Sequence, residues 1–264
     1  MPIYTDQLKR LINIELQPNK IISIVPSQTE LLFDLGLDNE VIGITKFCIH
    51  PNEWFKTKIR VGGTKNINIH KIIELQPNLI IANKEENTKE DIEKLEQIAP
   101  IWISDINNLE SALIMIKSIG EITSTTAKAE QIVLKIKESF DNLISINSQN
   151  KISCCYLIWQ NPYMTIGVDT FINNMLKHCN LTNIFANEKR YPIITDEILI
   201  AANPSVVMLS SEPFPFKEKH IAALQIILPK AKIVLVDGEM FSWYGSRLLQ
   251  APKYFTQLLQ TIVS

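Results

Sequence analysis

The chain has 264 residues, 46% hydrophobic and 20% charged, the balance of a globule large enough for one big domain or two smaller ones. Its 26 basic and 28 acidic residues leave a formal charge of -2 at pH 7, which gives no support to a nucleic-acid surface. No apolar run approaches the roughly 20 residues a helix needs to cross a bilayer, so the chain is expected not to span a membrane.

The first 20 residues include Asp6, Lys9, Arg10 and Glu15 and lack the apolar core of a secretory signal, which favours the cytoplasm. Downstream, strands are predicted over residues 21–25, 41–44, 79–82 and 101–103. They alternate with helices over 29–35, 69–75, 87–98 and 109–119. The longest helical pattern comes next, residues 125–144, with Ala127, Ile132, Val133, Ile136, Phe140 and Leu143 at helical spacing. A helix of about 20 residues is about 30 Å long, a stiff spine that permits only small hinge motions. Beyond it, strands over 153–158, 206–209 and 233–236 alternate with helices over 171–178, 197–201, 216–224 and 247–261.

Such alternation argues an α/β fold of βαβ units with mainly parallel sheets. The expected organisation is an N-terminal lobe over residues 1–122, one long backbone helix over 123–146, and a C-terminal lobe over 147–264. A faint repeat supports two similar lobes. Around Pro77 and again around Pro204, a helix ends just before the proline and a buried strand follows at once.

In open parallel sheets ligands bind beyond the carboxyl ends of the strands. Here those positions are polar: Pro26 to Thr29, Thr45 to His50, Asn83 to Asn87, Trp159 to Asn161, and Ser210 to Glu212. Ser27 and Thr29 read either as a helix cap or as part of an anion site. Cys48 and His50 suit a soft metal or simply pack, and Glu85 and Glu86 complete such a site or face water. The four cysteines, Cys48, Cys154, Cys155 and Cys179, show no CxxC pair and read as buried thiols. His70, His178 and His220 read as surface or capping residues. Residues 237–247 spend Met240, Phe241, Trp243 and Tyr244 in a loop with Glu239 and Arg247, which suits a ligand wall or an ordered plug. The patterns GxSxG, GxxxxGK[ST], GxGxxG and HExxH are missing, and the chain is read as a non-enzyme.

Several segments carry a resemblance: Ile24-Val25-Pro26-Ser27-Gln28-Thr29-Glu30-Leu31-Leu32, Val61-Gly62-Gly63, Leu75-Gln76-Pro77-Asn78-Leu79-Ile80-Ile81, Gly167-Val168-Asp169-Thr170-Phe171, Asn183-Ile184-Phe185 and Asn203-Pro204-Ser205-Val206-Val207. In order and spacing they resemble the helical-backbone (class III) substrate-binding proteins of bacterial ABC importers, in the cobalamin and iron-siderophore branch.

The resemblance implies two Rossmann-like lobes joined by one long helix, with a corrinoid or ferric siderophore held between them. It implies the periplasm or cell envelope, and an ABC permease and ATPase as partners. Permease docking would fall to Glu197 on the second lobe. On the first, His70 stands at the expected acidic position, with Glu74 one helical turn away. Thr64 and Asn83 replace expected aromatic residues, while Phe47 keeps one such place.

The leading reading is a monomeric, non-catalytic receptor for cobalamin or a related corrinoid, with a ferric siderophore second and no cofactor of its own. Phe47, Trp243 and Tyr244 would stack on the ligand, Lys65 and Arg247 would pair with its acidic or amide groups, and Glu239 would accept hydrogen bonds. Ser27, Asn83, Trp159 and Phe241 complete the expected lining. The alternative is a cytoplasmic metal-handling or enzyme-like protein with Cys48, His50 and Glu85 as metal ligands.

Overall fold

The computed structural model describes residues 1–143 and 151–263. Residue 144, expected to end the long helix, and the boundary expected between 146 and 147 lie outside the described residues. The chain divides into two compact α/β units. The first comprises Met1–Ile106, Glu110–Ile136 and Trp243–Arg247; the second comprises Asn107–Leu109, Lys137–Ser242 and Leu248–Ser264.

The first unit opens with an antiparallel hairpin, β1 (Ile3–Thr5) and β2 (Leu11–Asn13). Its main elements are then β3 (Ile21–Ser23), α1 (Pro26–Asp34), β4 (Val41–Ile44), α2 (Asn52–Thr57), β5 (Ile59–Arg60), α3 (Ile69–Leu75), β6 (Leu79–Asn83), α4 (Lys89–Leu95) and β7 (Ile101–Ser104). Helices α5 (Leu109–Ile122) and α6 (Thr126–Asp141) follow, and the division between units falls inside α6, after Ile136. The sheet is parallel, in the order β5-β4-β3-β6-β7. Counted from its first strand this is the order 3-2-1-4-5 of a Rossmann half, whose switch point lies between β3 and β6. Every residue of β3, β6 and β7 is buried, as expected of parallel strands covered on both faces.

The second unit contains β8 (Ile152–Leu157), β9 (Tyr163–Met164), α7 (Phe171–His178), β10 (Leu181–Asn183), β11 (Ile193–Ile194), α8 (Asp196–Ala202), β12 (Val206–Ser210), α9 (Glu218–Ile227), β13 (Lys232–Val236), α10 (Gly238–Ser242) and α11 (Ala251–Val263). Its parallel sheet runs β10-β8-β12-β13, which is 2-1-3-4 counted from its first strand, with the switch point between β8 and β12. Cys155, Leu157, Val207, Leu209, Leu199 and Leu224 pack into one core cluster there.

The repeat read in the sequence has a physical counterpart in each unit. Asn68 and Thr195 cap α3 and α8, each side chain accepting the backbone N–H three residues on. Both helices are 7 residues long and end in a left-handed residue, Gln76 (φ 48°) and Asn203 (φ 44°). Pro77 or Pro204 follows, and with no N–H and a fixed φ it ends the helix and delivers the chain into a fully buried strand, β6 or β12.

Four expectations change. Helix α1 begins at Pro26, with Val25 as its cap and no side-chain cap bond, so Ser27 and Thr29 lie inside its first turn rather than capping it. The long helix α6 has 16 residues and is therefore about 24 Å long. The presumed loop at 237–247 contains α10, and the closing helix starts at Ala251 after a 3-10 turn, Ser246–Leu249. The hairpin, α2, β5, β9, β10 and β11 were not foreseen; all are between 2 and 6 residues long. Elements that short carry too few positions to show a period.

Leu157 is fully buried in β8, one of the two inner strands of its sheet. Leu157→Ala is expected to cost about 2–5 kcal/mol of unfolding free energy, measured by equilibrium denaturation. A cost within about 0.5 kcal/mol, the range of ordinary surface substitutions, would contradict this packing.

Candidate functional site

At the carboxyl edge of the first unit the polar residues singled out by sequence form a buried hydrogen-bond scaffold. Asn87 Nδ2 donates to the carbonyls of Ile24 (3.2 Å) and Thr64 (3.0 Å), while its Oδ1 accepts from Asn83 N (2.9 Å). One side chain therefore bridges the switch point. Asn83 Nδ2 donates to Ser104 Oγ (2.9 Å), which also accepts from Gln28 Nε2, and Asn83 Oδ1 accepts from the N–H groups of Glu85 (2.8 Å) and Glu86 (3.1 Å). Thr29 donates to Val25 O (2.9 Å) and lies 2.7 Å from Ser23 Oγ and 3.1 Å from Cys48 Sγ. Ser27 and Asn83 are buried. The scaffold shapes the edge, but these two side chains do not form its outer face.

What faces outward is the turn after β4. Phe47 is 50% exposed, with Lys46 Nζ 5.1 Å from its ring centre, and its ring lies on Gly63. Its backbone is pinned by Lys46 N to Gly62 O (2.8 Å), Phe47 N to Thr45 Oγ1 (3.3 Å) and Ile49 N to Phe47 O (2.9 Å). Lys65, after β5, is exposed.

In the second unit the switch point is aromatic. Trp159, just past β8, is 40% exposed, and Phe214, past β12, meets it edge-on at 5.7 Å. Phe214 in turn contacts Phe216 (4.8 Å) and His220 (5.5 Å). The backbone of Trp159 is held by Met164 N at 3.1 Å, and Phe214 N donates to Ile158 O (3.3 Å). Beside them Tyr156 donates to Ser210 Oγ (3.1 Å), which donates to Glu212 O (2.6 Å). Gly238 is required here, since a Cβ would come within 2.5 Å of Ser210 Oγ. Phe214 is not among the residues singled out by sequence; the available signal is Pro213-Phe214-Pro215-Phe216, two residues past a buried strand.

Residues 241–247 lie elsewhere than expected. Phe241 is fully buried against Tyr156 (5.2 Å) and Phe255 (4.6 Å), so it belongs to the core of the second unit. Trp243–Arg247 belongs to the first unit, where Trp243 and Tyr244 are buried. Arg247 pairs with Glu30 through Nη2–Oε1 (2.7 Å) and Nε–Oε2 (3.0 Å). Its charge is therefore already met by a protein carboxylate. Glu239 is half-buried at the start of α10, its N–H donating to Asp237 Oδ1 (3.1 Å).

Cys48 is fully buried between the hydroxyls of Thr29 and Thr45, each 3.1 Å away, and burial pushes its thiol pKa up. His50 meets Trp243 edge-on at 5.5 Å, and Glu85 is half-buried. Among the described residues no three His, Cys, Asp or Glu side chains converge as a metal site. The donor geometry therefore does not favour Cys48, His50 and Glu85 as metal ligands. Of the other histidines, His220 caps α9 by accepting from Lys217 N (2.7 Å), His178 packs on Phe140 (5.1 Å), and exposed His70 pairs with Glu74 (3.3 Å). Glu74 and Glu197 are both exposed. An open groove of about 570 Å³ between Arg10–Asn13 and Glu96–Ile101 lies at the amino end of β7, away from the switch point of its own sheet. Arg10 is ion-paired there with Asp6 and Glu96.

Residues 21–225 match the family model described as periplasmic binding protein. The chain belongs to the periplasmic binding protein family. Within that family it is 30% identical over 251 residues to an uncharacterized ABC transporter substrate-binding lipoprotein of Bacillus subtilis, YvrC, covering 90% of this chain and 79% of that one. A vitamin B12-binding protein of Vibrio parahaemolyticus is 26% identical over 194 residues, 72% of this chain and 70% of that one. The petrobactin-binding protein YclQ of Bacillus subtilis shares the fold, with a TM-score of 0.83, 18% identity and 98% of each chain covered. These relatives are binding proteins by name, not enzymes.

Burial raises the pKa of all four thiols, that of Cys155 to about 12. Native protein is therefore expected to react with an aromatic disulfide reagent at pH 8 far more slowly than a free thiol, and to release four equivalents only after unfolding. A rapid equivalent from the native state would show that at least one thiol is accessible.

Proposed function

We propose that this chain is the substrate-binding component of an ABC importer and that it captures a metal-containing small molecule, cobalamin or another corrinoid first and a ferric siderophore second. The observation that carries the reading is the pair of half-exposed aromatic rings, Phe47 and Trp159, each at the carboxyl edge of a parallel sheet and each on a backbone pinned by hydrogen bonds. Bulky chelates and corrin rings present broad apolar faces with polar rims. Aromatic faces held in place suit the first, and the exposed amines of Lys46 and Lys65 suit acidic or amide groups on the second. The names of the relatives support the same ligand classes. In this reading the exposed carboxylates of Glu74 and Glu197 meet the importer's permease.

Isothermal titration with cyanocobalamin, cobinamide and a ferric siderophore tests it. Phe47→Ala and Trp159→Ala are each expected to weaken binding of the recognised probe about tenfold or more, the loss typical of a stacked aromatic anchor, with little change in unfolding midpoint. Heat from none of the three probes overturns the ligand assignment. Unchanged affinity in both variants overturns the site.

A further inference from the structure

Two consecutive residues of α1 grip the turn that carries Phe47. From inside, Thr29 reaches Cys48 Sγ at 3.1 Å, and Thr45 meets the same sulfur at 3.1 Å. From the other side, Glu30 holds the strap Trp243–Arg247, which the chain supplies 217 positions later. Its carboxylate accepts a hydrogen bond from Arg247 Nε (3.0 Å) and its other oxygen lies 2.7 Å from Nη2, with the two side chains only 9% and 13% exposed. The Arg247 guanidinium lies 5.1 Å from the centre of the Trp243 ring, and Trp243 meets His50 edge-on at 5.5 Å. Gly245 seats the strap on α1, because a Cβ there would come within 2.5 Å of the Ser27 carbonyl oxygen.

We infer that Glu30 and Arg247 are positioning residues for the ligand-facing turn 45–50, acting through Trp243 and His50. This rests on the reading of Phe47 as a ligand contact. Breaking a shielded ion pair by removing one partner is costly, so the pair favours the docked strap. Several of the turn's own backbone bonds are local, such as Cys48 N to Thr45 O (3.2 Å) and Ile49 N to Phe47 O (2.9 Å). Its last residue, His50, leans on Trp243. Removing the pair loosens this end first, and Phe47 loses its fixed place.

Hydrogen exchange by mass spectrometry on the full chain, without ligand, tests the inference. Arg247→Ala and Glu30→Gln are expected to speed exchange in peptides covering 45–50 about tenfold or more, while α7 and α11 keep their protection. Arg247→Lys, which keeps the charge but not the Nε donor or the planar group beside Trp243, is expected to fall between wild type and Arg247→Ala. Where Arg247→Ala does not fold, Glu30→Gln, nearly isosteric, gives the same readout. Unchanged exchange at 45–50, or a rise spread evenly over the first unit, overturns the positioning role. With a probe that wild type binds, cyanocobalamin or a ferric siderophore, both variants are also expected to dissociate about tenfold faster; wild-type dissociation rates in both overturn it. A wild type that binds neither probe sinks the ligand reading, and the exchange at 45–50 then decides the strap by itself.

Discussion

The carboxyl edge of the first unit depends on one side chain, that of Asn87. Where parallel strands end, the chain leaves the ladder, and its carbonyl and amide groups lose their partners while still screened from water. Asn87 meets three of them at once, the carbonyls of Ile24 and Thr64 and the amide of Asn83, and so ties together the chain after β3, after β5 and at the end of β6. An asparagine is suited to this because its amide offers two donors and an acceptor in one plane. With its polar groups met this way, the scaffold has little to offer a ligand, and what is available at the edge is what stands in front of it. That is why Ser27 and Asn83, although at the ends of the right strands, are built into the wall.

The second unit solves the same problem with other residues, and the difference bears on function. Tyr156, Ser210 and Glu212 form a hydrogen-bonded relay behind the switch point, and Gly238 allows the turns after β12 and β13 to approach. In front of these satisfied groups, Trp159 and Phe214 present ring surface. A half-exposed tryptophan costs apolar hydration, about 25 cal/mol per Å² of exposed surface, so it persists most readily where covering it serves a purpose.

The strand and helix sequence was largely legible because long buried strands and amphipathic helices declare their periods; β6, β12, α3, α7 and α8 all lie where the pattern put them. The proline that follows each left-handed cap was legible for the same local reason. Two things were not. Elements of two or three residues, such as β5 and β9, exist only through tertiary pairing. The partner of a charged side chain is also invisible when it is distant in sequence: Arg247 looked like a group awaiting a ligand, yet Glu30 satisfies it from 217 positions away. Of the candidate site, Phe47 and Trp159 stand out in the sequence because they follow strand ends, whereas Phe214 sits between Pro213 and Pro215, where a turn reads as strongly as a ring.

Aromatic residues in an irregular segment are therefore an ambiguous signal, and the physics of burial separates the two meanings. A ring that closes a core must lose its water, as Phe241 and Trp243 have. A ring that receives a ligand must keep part of its face wet until the ligand comes, and the half-exposed Phe47 and Trp159 meet that condition. The second kind gains most from a backbone that is already fixed, since each side chain ordered on binding subtracts about 0.5–1.5 kcal/mol from affinity. The hydrogen bonds at Phe47 and Trp159 fix the main chain during folding, so only the rings remain to be ordered. The buried aromatic residues of 241–247 are thus not a failed binding wall: Trp243 and Arg247 belong to the support that keeps an exposed ring in one place.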